Sequence, residues 1–326
     1  QEYCDDLLPK WLSFIDGVVD SEDLPLNVSR ESVQNTRIMR QLGKTIRKRV
    51  LRELSKMAKD EAEQYAAFWS EFGRFLKEGL ATDFEARDEI MPYLRFQSSK
   101  SEGNLASLDE YIERMPEAQT EIYYVLGDDA KSVANSPHLD PFKARDLEVL
   151  YFVDAFDAFM APTLQAYKEK TFRNIDDASL ELPDVEVKED STDVEQTEIQ
   201  EDAFEALVSK FSEVLGDRVV EVRASKVLKG SPARLVSPED GGNQAMSRLQ
   251  RYIDQNYEIP KRILELNNRH PLIANLAETL QQNADAAVVP LVVEQIFDSA
   301  LVQEGLHPNP AEMLPRIQQL MELATK

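Results

Sequence analysis

Arg30 and Gln34 are the two side chains of this 326-residue sequence whose type and spacing point most directly to chemistry. They stand four residues apart, which puts them on one face of a helix. Ser29 precedes them and suits an N-cap, because its hydroxyl can accept a bond from an otherwise unpaired amide of the first turn. A helix start favours anions through those amides and the positive end of its dipole. A guanidinium and a carboxamide placed there suit the oxygens of a phosphate. The same spacing also fits a solvated arginine with no ligand.

Other chemistries find less support. Three His and one Cys, widely separated, give no metal-ligand spacing, so no metal is expected. No Ser/His/Asp or Cys/His set is recognisable, and 60 acids offer carboxylate pairs only by chance. His270 directly precedes Pro271 and reads as structural. Gly127 follows an apolar run, but neither GxGxxG nor GxxxxGK[ST] is present, so no nucleotide cradle is expected there. Gly241 and Gly242 precede a short helix without the Lys-Ser/Thr of a phosphate loop. Cys4 has no partner for an internal disulfide, which fits a reducing compartment, the cytosol first. The net charge of -23 argues against general nucleic-acid binding. No apolar run approaches the ~18–20 residues of a membrane span, so no membrane partner is expected. The start lacks both a signal peptide and a Met, so the sequence is expected to begin inside a larger protein.

The elements that must position Arg30 and Gln34 come next. With 42% hydrophobic residues a real core is possible, and with 11 Gly and few alternating runs helices dominate. The fold class is α+β and helix-rich, in two or three domains. Residues 15–21 read as a strand, and 29–57 as a long helix with Ile38, Leu42, Ile46, Val50 and Leu54 on its core face. Its other side carries Arg37, Arg40, Lys44, Arg47, Lys48, Arg49 and Arg52, a solvated face or a positive surface near the anion. Residues 60–79 form a second helix with a stripe of Tyr65, Phe68, Trp69, Phe72, Phe75 and Leu76, read as packing, with Gly79 as its stop. Residues 84–94 make a third helix. Ser107 and Glu110 form a capping box. Apolar strands at 120–126 and 147–153, with a helix capped by Asp128 between them, predict a parallel βαβ unit. Phe152, Phe156, Phe159 and Met160 cluster near a short helix at 154–160.

Residues 184–202 hold nine acids and almost no large apolar side chain, so they read as a linker and the clearest domain boundary. Beyond it come a helix at 203–215 stopped by Gly216, and strands at 219–228 and 233–236. A short helix then sets Met246, Leu249 and Tyr252 on one face, where a mobile Met suits promiscuous binding. Two final helices, 287–304 and 310–324, close the chain. The first carries Val289, Val292, Val293, Ile296, Phe297, Ala300 and Leu301, and the second Leu314, Ile317 and Met321. The second opens with Asn309 and Glu312 as a capping box around Pro310. Two short-linked amphipathic helices at a chain end can pair with a second copy as a four-helix bundle.

The stretch from Gly17 to Gln34 and the run Glu265-Leu-Asn-Asn-Arg-His-Pro-Leu272 together resemble the 90-kDa heat-shock protein chaperones of the bacterial HtpG type. Tyr65-x-x-Phe68-Trp69 and Ile122-Tyr-Tyr followed by Asn135-Ser-Pro137 resemble further parts of the same family, so the likeness runs along nearly the whole chain. The resemblance implies that 1–183 is the distal middle domain, with a helical coil at 29–95 and a small α/β/α subdomain at 105–175. It implies that 203–326 is the C-terminal dimerisation domain. By resemblance, Arg30 contacts the γ-phosphate of ATP with Mg, held by an N-terminal domain not in this chain, and Gln34 supports it as the second catalytic residue. This fragment alone is then expected to bind no cofactor and to turn over no ATP. Phe159, Met246, Leu249 and Tyr252 would contact unfolded or partly folded clients, and the last two helices would make the homodimer. The implied protein is a cytoplasmic stress-response chaperone working as a two-armed clamp driven by ATP hydrolysis. The alternative is a non-enzymatic dimeric scaffold or adaptor that keeps the fold without the ATPase.

Overall fold

A computed structural model describes residues 7–20, 37–177, 179–185, 199–238 and 260–325. The chain divides into two units, residues 1–96 with 105–110, and residues 97–104 with 111–326.

The first unit is built on two long helices, α1 (Arg37–Asp60) and α2 (Ala62–Thr82). Leu51 and Leu54 of α1 are buried, while Arg40, Lys44, Lys48, Arg49 and Arg52 stay exposed. Arg47 leaves that basic face, donating from Nη2 to Glu89 at 3.1 Å. The aromatic stripe of α2 divides. Tyr65, Trp69 and Leu76 are buried, whereas Phe68, Phe72 and Phe75 are half-buried and gather around Phe14, with ring centroids 5.5, 5.0 and 5.7 Å from it. The Tyr65 hydroxyl donates to the Tyr93 carbonyl at 2.6 Å, and burial pushes its pKa up to about 12. Gly79 does not stop α2, which runs on to Thr82. The missing Cβ instead lets Trp11 lie on the helix, since a Cβ there would sit 2.7 Å from Trp11 Cγ.

The third helix is shorter than the sequence predicts. Asp83 turns the chain by accepting from the Ala86 amide at 3.2 Å, so α3 spans only Arg87–Ile90. A 3-10 turn, Met91–Tyr93, replaces its second half, because Pro92 has no amide to donate. Residues 15–20, expected as a strand, carry no ladder pairing among the described residues.

The second unit starts with strand β1 (Gln97–Ser98). Helix α4 (Leu108–Arg114), whose first turn is counted with the first unit, opens at the expected capping box, with Glu110 N donating to Ser107 Oγ at 3.1 Å and Ser107 N to Glu110 Oε2 at 2.7 Å. Then come β2 (Glu121–Leu126), α5 (Ala130–Ala134), α6 (Asp140–Lys143), β3 (Leu150–Phe152), α7 (Asp157–Met160), β4 (Ala166–Tyr167) and β5 (Lys170–Asn174). The sheet order is β1-β3-β2-β5-β4, with β2 parallel to both β3 and β5. The βαβ unit is thus present, and its central strands are buried on both faces, as a parallel sheet requires. Both edges are two-residue strands, too short to template further pairing. Asp129, not Asp128, caps α5, accepting from the amides of Lys131 at 2.9 Å and Ser132 at 3.0 Å.

The C-terminal part comprises α8 (Glu201–Leu215), β6 (Val219–Ala224), β7 (Ala233–Val236), β8 (Arg262–Leu266), α9 (Pro271–Gln282), α10 (Val288–Gln303) and α11 (Leu314–Ala324). Gly216 ends α8 at φ 56°, a left-handed value that a glycine takes without strain. The three strands run β6-β8-β7, with β6 parallel and β7 antiparallel to β8. Leu207, Phe211, Leu235, Leu264, Ile273 and Phe297 form the core against this sheet. Pro310–Met313 is a 3-10 turn, so α11 begins only at Leu314, and the Asn309 side-chain Nδ2 donates to Glu312 Oε1 at 3.0 Å instead of its oxygen capping the turn.

The two sheets of this unit are tied together. A bridge pairs Asp177 with Ser237. Asp140 Oδ2 accepts from the amides of Gly230 and Ser231 at 3.1 and 3.0 Å. His138 Nε2 and Glu304 Oε1 meet at 2.7 Å, both buried.

Candidate functional site

Two surfaces stand out among the described residues, and each follows from local sequence. The first is α7. Asp154 and Asp157 form its start, with Asp157 Oδ2 accepting from the Asp154 amide at 2.9 Å and Asp154 Oδ1 from the Phe156 amide at 2.8 Å. Helical spacing then turns Ala158 and Met160 inward and Phe159 outward. Phe156 and Phe159 are 36% and 48% exposed, with ring centroids 6.3 Å apart. Phe152, grouped with them in the sequence, is fully buried and stacks on Tyr124 at 4.6 Å. What remains is a small aromatic surface on a rigid support, suited to apolar side chains.

The second surface is the helix pair at the chain end. Val289, Val293, Ile296, Phe297, Ala300 and Leu301 of α10 are buried in the core of their own unit, and Val292 packs partly against it. In α11, Ile317 is half-covered, while Leu314 and Met321 are 57% and 62% exposed. The apolar face open to a partner therefore belongs to α11, with α10 as its bed.

No phosphate cradle is built after β2. The amides at the start of α5, which a phosphate would use, are already filled by Asp129. That carboxyl lies below its ordinary range because the Ser132 hydroxyl and amide donate to it. The anion contact inferred at Arg30 and Gln34, and the helix of Met246, Leu249 and Tyr252, lie outside the described residues.

The family model described as "Hsp90 protein" matches residues 1–326, the full length of the sequence. The chain belongs to the Hsp90 family. Among the relatives, a protein named "Chaperone protein HtpG" from Chlorobaculum tepidum is 39% identical over all of this chain and 51% of its own length. A protein of the same name from Myxococcus xanthus is 42% identical over 93% of this chain and 46% of its own. A third, from Desulfitobacterium hafniense, is 38% identical over all of this chain and 52% of its own. This Hsp90 chain thus spans about half the length of the relatives it matches.

Sequence reasoning missed the charges that hold the Hsp90 C-terminal part. Burial alone would raise the Glu265 carboxyl, but Arg234 and Arg223 outweigh it and hold it below its ordinary value. Glu265 receives Arg234 at 2.8 Å, Arg223 at 2.8 Å and the Ser225 hydroxyl at 3.1 Å across three strands. Glu294 and Asp298, acids one turn apart and the two charged residues of a mostly apolar helix, take Arg218 and Arg316. Lone charges on an apolar helix were the available signal.

Proposed function

We propose that this chain is the client-facing and dimerising portion of an ATP-dependent chaperone that works as a two-armed clamp. The family match along the whole chain is the observation that carries this reading. The exposed Phe156–Phe159 pair supports a client contact, to which Met246, Leu249 and Tyr252 would add, and the uncovered face of α11 supports a homodimer.

In this reading nucleotide is held by a separate module, and the helix start after β2 offers it no cradle, because Asp129 already takes the amides there. The chemistry ATP with Mg supplies is phosphoryl transfer to water. This chain's contribution is Arg30, which places positive charge where negative charge develops, with Gln34 holding its side chain. Closure of the two arms follows that contact and brings the client surfaces together, in the cytoplasm. The test is Arg30→Ala in the longer protein. Turnover should fall on the order of 10²-fold with nucleotide binding kept, as removal of a charge-stabilising group does. Unchanged turnover would take Arg30 out of the mechanism, and a wild-type longer protein that turns over no ATP would favour a scaffold without ATPase function.

A further inference from the structure

Helix α11 has no buried residue of its own. With so little apolar cover, packing alone does not fix the rotation of α11 on α10. Arg316 does so. Its Nε donates to Gln295 Oε1 at 3.2 Å, its Nη2 pairs with Asp298, and its Nη1 lies 4.0 Å from Glu294 Oε2. One guanidinium therefore grips a full turn of α10, and its side chain is only 18% exposed. The acids it grips are themselves fixed. Arg218 holds Glu294 with both Nη groups, at 2.9 and 2.5 Å, and lies 5.3 Å over the Phe297 ring. His307 Nε2 stands 3.7 Å from Asp298, while its Nδ1 accepts from the Asn309 amide at 3.1 Å, so the segment leading into α11 is tied to the same carboxylate.

On a helix of 3.6 residues per turn, Leu320 lies about 40° from Arg316, while Leu314 and Met321 lie about 160° and 140° from it, on the far side. We infer that Arg316 is a positioning residue for self-association: it sets the rotation of α11 so that Leu314 and Met321 face a second copy of this chain. This rests on the dimer reading above. Without the fork α11 keeps its helix but rolls, and the apolar face no longer meets its copy squarely.

The experiment is sedimentation equilibrium of the 326-residue chain as wild type, as Arg316→Met, which keeps the apolar stem, and as the swapped pair Arg316→Asp with Asp298→Arg. Arg316→Met should raise the dimer dissociation constant at least tenfold while circular dichroism and the melting temperature hold, and the swapped pair should recover most of the loss. If Arg316→Met melts, Asp298→Asn supplies the same comparison with the shape kept. Wild-type affinity in these variants, or a swapped pair no tighter than Arg316→Met, overturns the positioning role and leaves the dimer reading intact. A monomeric wild type overturns both.

Discussion

His270 caps α9 through its ring, with Nδ1 accepting from the Leu272 amide at 3.1 Å. Burial holds its pKa below the ordinary 6.5. A protonated Nδ1 has no lone pair to offer, so acid breaks the cap. The folded pKa is the lower one, so the unfolded chain binds more protons once pH drops under about 6.5. Stability from this group is therefore complete above that pH and is lost as pH falls through the folded pKa. His270→Asn keeps a capping oxygen and has no titrating ring. Its melting temperature should vary less as pH falls below about 6.5 than that of wild type, and an equal slope would assign the effect elsewhere. Gly79 offers a second check. Alanine favours a helix by roughly 1 kcal/mol over glycine, but its Cβ would meet Trp11 and Ile90 at 2.7 and 2.8 Å. Overpacking of that kind costs about 1–3 kcal/mol, so Gly79→Ala should lower stability in denaturant titrations. The glycine was visible in the sequence and its role was not, because a stop and a close approach look identical without Trp11.

At the scale of elements, the signals that could be read were local ones. Ser107 and Glu110 close a capping box within four residues, and Pro271 starts α9 where it stands. The apolar runs of β2 and β3 announced a parallel pair. Strands β1 and β4 were not legible, since two residues carry no alternation and exist only through their neighbours. The third helix was overestimated because apolar spacing continued past the point where Pro92 ends it. Helix α7 carries a functional expectation. Phe156→Ser with Phe159→Ser should weaken suppression of client aggregation by the longer protein. Exposed positions change stability by no more than about 0.5 kcal/mol each, so the melting temperature should hold. Full suppression with both rings gone would remove α7 from client contact.

For the whole molecule, the acidic stretch at 184–202 read as a boundary, but the ties across the second unit were hidden. They join His138 to Glu304, Asp140 to Gly230 and Ser231, and Asp177 to Ser237, residues far apart in sequence whose pairing needs the fold. The terminal helices were legible as amphipathic, yet the sequence could not tell which apolar residues fill the unit's own core and which stay uncovered. The structure separates them, with α10 turned inward and Leu314 and Met321 of α11 turned out. That division is what the proposed clamp would need at its base, a stable bed and an uncovered seam. The most direct test is the mass of the 326-residue chain in solution at low micromolar concentration, by light scattering. The account predicts twice the 37.1 kDa of one chain, and a particle of 37.1 kDa would contradict it.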